Sequence, residues 1–231
     1  VYPAGCGTTL SSNESGVQVV RSTTVGACPG TDGPGRPVTV LLPAETSACN
    51  GGSMLANFSI GMAEYTSGST AAAMPGALPP ASAYTYATEF VVRDGTSIVP
   101  QVHFVAGTTC SGAGTSARPV WAFIPNFLNV QVGAAVPVGA YVRALGQWTP
   151  EANGRVVRMA PSGATDVKVD DDGDNTGDIS STFTAAEREA LRAAFFPMGC
   201  SATELTLWML PMVHFTPGDF NFAQGLAGGG G

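Results

Sequence analysis

Apolar and polar residues alternate with a period of two along most of this chain. Val38, Val40 and Leu42 alternate with Thr39 and Leu41 between Pro37 and Pro43. Val120, Ala122 and Ile124 alternate in the same way with Trp121 and Phe123. Successive side chains of a strand point to opposite faces, so runs of this kind bounded by Pro and Gly predict strands. Residues 55–65 continue the pattern, with Phe58, Ile60 and Met62 on one face, and Val17, Val19 and Val20 open a shorter run. Residues 87–93 and 98–105 predict a strand pair turned at Arg93-Asp94-Gly95-Thr96, where Asp-Gly supplies the positive φ of a tight hairpin.

One stretch alone has helical spacing. Thr184-Ala185-Ala186-Glu187 forms a capping box, in which the hydroxyl and the carboxylate each accept from the other residue's amide. Ala190, Leu191, Ala194 and Phe195 then line one face, and Pro197 with Gly199 ends the run, which predicts a helix over 184–196.

Parts of the chain occur twice. Cys28-x7-Arg36-Pro37-Val38-x4-Pro43 returns as Cys110-x7-Arg118-Pro119-Val120-x4-Pro125, an offset of 82 positions. Phe58 and Tyr65 match Tyr141 and Trp148 at an offset of 83, and Ala87-Thr88-Glu89 matches Ala202-Thr203-Glu204 at 115. Pro-x-Val-His-Phe-x-x-Gly runs once from Pro100 and again from Pro211. Matched blocks in fixed order, separated by loops of different length, predict a duplicated unit. The expectation is an all-β fold of two tandem immunoglobulin-like β-sandwich modules. Residues 1–16 form an N-terminal arm, 17–99 the first module, 100–220 the second with an acidic-loop and helix insertion, and 221–231 a Gly-rich tail.

Apolar residues make up 44%, enough for real cores, while charged residues are only 12%. A surface so poor in charge suits coverage by partner subunits or glycans. The formal charge of −7 excludes a nucleic-acid binder that works through a basic face. The longest apolar runs, such as 205–215, are short and broken by Pro, so no membrane span is expected.

Five cysteines without any C-x2-C pair read as disulfides of an exported protein. A start at Val1 fits the loss of a leader. Bridges are expected between Cys28 and Cys49 and between Cys110 and Cys200, which leaves Cys6 free or joined to another chain. Asn13-Glu14-Ser15 and Asn57-Phe58-Ser59 are sequons, so Asn13 and Asn57 are candidate glycan sites.

The most chemical segment is 169–180, Val-Asp-Asp-Asp-Gly-Asp-Asn-Thr-Gly-Asp-Ile-Ser. Alternate carboxylates of a tight loop converge on one point, and Ca²⁺ takes six to eight oxygens. Counted as an EF-hand-type loop from Asp172, Gly177 stands at the bend and Phe183 at position twelve, where a bidentate Glu belongs. Counted from Asp170, Asn175 stands at the bend and Ser181 at the end. The expected ligands are Asp170, Asp172, Asp174 and Asp178, with the Thr176 carbonyl, and calcium is the one cofactor expected. The competing reading is a solvated acidic loop.

His103 and His214, both in Val-His-Phe, are placed by alternation on the outer faces of strands. A copper reading would combine Met209, Met212 and His214, since thioether and imidazole suit Cu(I). Trp121, Trp148 and Trp208 could stack on sugars if they faced outward, but such residues more often anchor cores. Hydrolase, zincin and P-loop motifs are missing from the sequence, so no catalytic residue is assigned and the chain is not read as an enzyme.

The function expected is that of a secreted or surface-displayed structural subunit that self-assembles into a filament, sheath, appendage or coat. The alternative is a Ca²⁺-dependent adhesin or carbohydrate-binding module that meets other surface proteins or glycans. A secreted hydrolase or copper protein comes last. Assembly would be heterologous and head to tail, with the arm and tail lying on an adjacent copy and Tyr2, Cys6, Phe220 and Phe222 making contact.

Overall fold

A computed structural model describes residues 9–22, 36–65, 86–110, 119–142, 144–177, 182–215 and 218–219. Strands and helix are numbered in chain order. All strand pairing among these residues is antiparallel, in three sheets.

The first sheet runs β1 (Thr9–Ser11), β6 (Asn57–Tyr65), β7 (Ala87–Asp94), β18 (Gly218–Asp219), β12 (Gly139–Val142) and β13 (Gln147–Pro150), with β8 (Ser97–Val99) also on β7. In the second, β11 (Ala135–Val136), β14 (Gly154–Pro161), β16 (Leu205–Met212), β10 (Val120–Pro125), β3 (Thr39–Leu42) and β2 (Gln18–Arg21) follow one another. Here β15 (Val167–Asp170) also pairs with β14. The third is β17 (His214–Phe215), β9 (Val102–Ala106), β4 (Thr46–Asn50) and β5 (Ser53–Met54).

The second sheet is the middle layer. From one of its faces Val40, Leu42, Ala122, Ile124, Val156, Trp208 and Leu210 meet Phe58, Ile60 and Phe90 of the first sheet and Ala48, Phe104 and Phe215 of the third. From the other, Leu41, Phe123, Val157, Met159, Leu207 and Met209 pack on Leu191 and Phe195 of the helix α1 (Ala185–Phe195). Period two therefore divides these strands between two cores, and all four residues of β3 are buried. The helix begins as its capping box predicts. Thr184 Oγ1 accepts from the Glu187 amide at 3.2 Å, and Glu187 Oε2 accepts from the Thr184 amide at 2.6 Å. No helix among the described residues is long and apolar enough to cross a membrane.

The all-β expectation holds, with this single helix. The sheets, however, cross the boundary expected at 99/100. Strands from 17–99 and 100–220 share each sheet, and the larger core draws on both segments. The duplicated runs meet each other instead of standing apart. In the β3–β10 pair Val40 lies opposite Ala122, its own equivalent, and in the β9–β17 pair His103 lies opposite His214. Periodicity marks a strand without choosing the edge it pairs with.

The cysteine pairing also differs from expectation. Cys49 is bonded to Cys110, with Cα atoms 5.6 Å apart, so neither Cys28–Cys49 nor Cys110–Cys200 forms. Pairing of β4 with β9 sets Cys49 opposite His103, and the chain turns at Gly107 (φ +75°) soon after β9, which carries Cys110 back toward Cys49. Cys200 is disulfide-bonded to a partner outside the described residues.

Candidate metal centre

β15 carries the acidic loop. Its Val167 and Val169 face the helix-side core, and pairing with β14 sets Asp170 opposite Arg158. Asp170 is buried at 4% exposure. Its carboxylate is held by the backbone that follows: Oδ1 accepts from the amides of Gly173 (2.7 Å) and Asp172 (3.2 Å), and Oδ2 accepts from Asn175 (3.0 Å). Asp172 Oδ1 accepts from the Asp174 amide at 3.1 Å. Asp174 Oδ1 accepts from both the amide and the hydroxyl of Thr176 at 2.7 Å. Each aspartate thus folds the chain beyond it into a turn.

The result is convergence. One carboxylate oxygen from each of Asp170, Asp172 and Asp174 lies within 4.8 Å of the others. Gly173 (φ +91°) and Asn175 (φ +69°) take the left-handed bends, while Gly177 has no positive φ. The bend belongs to the register that begins at Asp170. The other register fails a second way, because Phe183, its twelfth residue, is buried in the helix-side core. Asp178 lies outside the described residues. The Asp174 carboxyl is held below its ordinary pKa, first by the Thr176 hydroxyl and then by the Thr176 amide.

The loop rests against the segment after β10. A Cβ at Gly133 (φ +88°) would come within 3.2 Å of the Asp172 carbonyl oxygen, so the backbones approach closely there. An Arg155–Asp171 ion pair ties the loop to β14. Between them an open cleft of about 500 Å³ is lined by Gln131, Gly133, Arg155, Asp171 and Asp172. Three all-oxygen side chains on a pre-bent loop suit a hard cation.

The other residues singled out from sequence scatter. Met209 packs in the helix-side core and Met212 in the core between sheets, so the copper set with His214 is not assembled. Trp208 is fully buried and donates to Asn126 Oδ1 at 2.9 Å; Trp121 packs on Phe183 and Trp148 on Tyr141. Asn13 and Asn57 are exposed, and Asn57 Oδ1 accepts from the Ser11 hydroxyl at 3.1 Å. Tyr2, Cys6, Cys28, Phe220 and Phe222 lie outside the described residues.

One grouping was not foreseen. His214 Nε2 lies 3.2 Å from Glu151 Oε1, next to the residue that ends β13, while His103 stands opposite His214. The only signal in the sequence was the repetition of Val-His-Phe.

Set beside models of protein families, curated proteins and solved structures, the chain matches none of them. Among the described residues, fold and site define a mostly β, antiparallel protein of three sheets, with one helix and an aspartate-rich loop at a strand end.

Proposed function

We propose that this chain is an exported, disulfide-braced β-protein that builds or binds at a surface, with Ca²⁺ held structurally by the 170–178 loop. The convergence of Asp170, Asp172 and Asp174 on a loop already bent at Gly173 and Asn175 carries this reading. The Cys49–Cys110 bridge supports an oxidising compartment. Without a bidentate carboxylate at the twelfth position the affinity should be that of weak extracellular sites, on the order of 10⁻⁴–10⁻³ M.

Association of copies is the form of building that the surface favours. Ile98 (57% exposed), Leu145 (63%) and Met198 (fully exposed) present apolar side chains in a chain of only 12% charged residues. Glycans or other surface proteins are the partners of the adhesive alternative.

Calorimetry of the intact protein in millimolar Ca²⁺, with and without chelator, tests the ion. The expected result is weak binding and a raised melting temperature, both lost in Asp170→Asn and in Asp174→Asn. Sedimentation velocity on the same samples should show association. Absence of heat with unchanged melting removes the Ca²⁺ reading, and a strict monomer at high concentration removes the building one.

A further inference from the structure

The chain has only two histidines, 111 positions apart, and the fold sets them opposite each other on the paired strands β9 and β17. The Phe104 amide donates to the Val213 carbonyl at 2.8 Å, which makes Phe104 and Val213 a hydrogen-bonded pair. His103 and His214, one step along, are then a non-hydrogen-bonded pair, the kind whose side chains stand closest, with Cβ atoms about 5 Å apart. Val102, Phe104 and Phe215 point into the core between sheets, so both imidazoles lie on the opposite face. Beyond His103 on that face comes Cys49, closed off by its bond to Cys110.

His214 is held as a metal-binding imidazole is held. Its Nε2 meets Glu151 Oε1 at 3.2 Å, while Nδ1 is buried and has no hydrogen-bond partner. Metal-ligating histidines typically donate one ring N–H to a carboxylate and turn the other nitrogen to the ion. A buried nitrogen lone pair facing no donor lacks a cation or a proton. The side chains of His214 and Glu151 are 24% and 33% exposed, so the pair lies at the surface although Nδ1 itself is closed to solvent.

We propose that His103 and His214 bind a borderline transition-metal dication, with Zn²⁺ as the reference ion, and that Glu151 orients His214 for it. Nδ1 of His214 and one nitrogen of His103 are the protein ligands; because Nδ1 is closed to solvent in the unliganded protein, the rings turn outward on binding to admit the ion and its remaining water ligands. Two neutral imidazoles suit Zn²⁺, Cu²⁺ or Ni²⁺ and not Ca²⁺, so this site is chemically separate from the aspartate loop. Glu151 is a positioning residue. Imidazoles ligate through an unprotonated ring nitrogen, so the ion competes with protons for both residues.

The test is Zn²⁺ titration of the intact, oxidised protein in excess Ca²⁺, which keeps the aspartate loop occupied or shielded. Imidazole resonances are followed by NMR and stoichiometry by calorimetry. One Zn²⁺ per chain should bind and shift the resonances of both histidines. His103→Asn and His214→Asn should abolish that binding, and Glu151→Gln should weaken it about tenfold or more. The wild-type spectrum is decisive even if a variant fails to fold. If Zn²⁺ moves neither imidazole, or only one, or if His103→Asn binds as the wild type does, the site does not exist. None of these outcomes bears on Ca²⁺ binding by the loop.

Discussion

Gly154 shows how tightly single residues are constrained in the middle sheet. It opens β14 beside β16, where an added Cβ would lie 2.6 Å from the Met209 carbonyl oxygen and would also collide with Leu210. The nearest obstacle that cannot rotate away is backbone, so Gly154→Ala has to shift a strand. The expected cost is about 1–3 kcal/mol, read as a lower urea midpoint; an unchanged midpoint would show that the strands part without strain. At the same scale the aspartate loop was legible from sequence, because Asp170, Asp172 and Asp174 converge through turns of two to five residues. Which residue takes the bend was not legible. Glycine is the usual choice, and here Asn175 adopts φ +69° while its amide donates to Asp170 Oδ2.

Among the elements, α1 was the most fully legible, since its start depends on residues three apart. Removing the cap hydroxyl by Thr184→Ala should cost about 1 kcal/mol, measured by the same unfolding assay. A loss well under half of that would mean that packing of Leu191 and Phe195 holds the first turn without its cap. Strands were legible as strands, yet one matched block adopts two forms. Residues 57–65 make the single strand β6, while their counterparts at 140–148 fold back as the hairpin β12–β13. The turn there has Gly146 at φ +64°, with Leu145 and Gly146 amides donating to the Val142 carbonyl. Gly146 corresponds to Ala63, and alanine resists that conformation. Gly146 supplies the positive φ that this turn uses, and the matched stretch 57–65, which has Ala63 there, runs on as one strand.

In the whole molecule the Cys49–Cys110 bridge spans 61 positions and joins the turn after β9 to β4. Loop entropy alone assigns such a link about 4 kcal/mol. The double variant Cys49→Ala/Cys110→Ala should lose stability on that scale in urea unfolding monitored by tryptophan fluorescence. Equal stability would show that the third sheet holds together without it. The pairing escaped sequence reasoning because spacing carries no information about which strands neighbour each other. Burial of the middle sheet on both faces escaped it too, because Leu41 and Phe123 read as the outer row of half-buried strands until α1 covers them.

The sequence by itself determined the β class, the capped helix, the turn at Gly95 and the aspartate loop. Each rests on interactions within a few residues, where local geometry follows from side-chain type. The second strand expected over 98–105, by contrast, pairs with β7 only as β8 (Ser97–Val99) and resumes as β9 in the third sheet. Tertiary structure decided the partners. It mixed both segments in every sheet, bonded Cys49 to Cys110, dispersed Met209, Met212 and His214, and brought His103 to His214 and Glu151 to His214. The reason is physical. A strand edge can satisfy its hydrogen bonds against many others, and the choice among them is made by burial summed over the whole molecule, which no local pattern records.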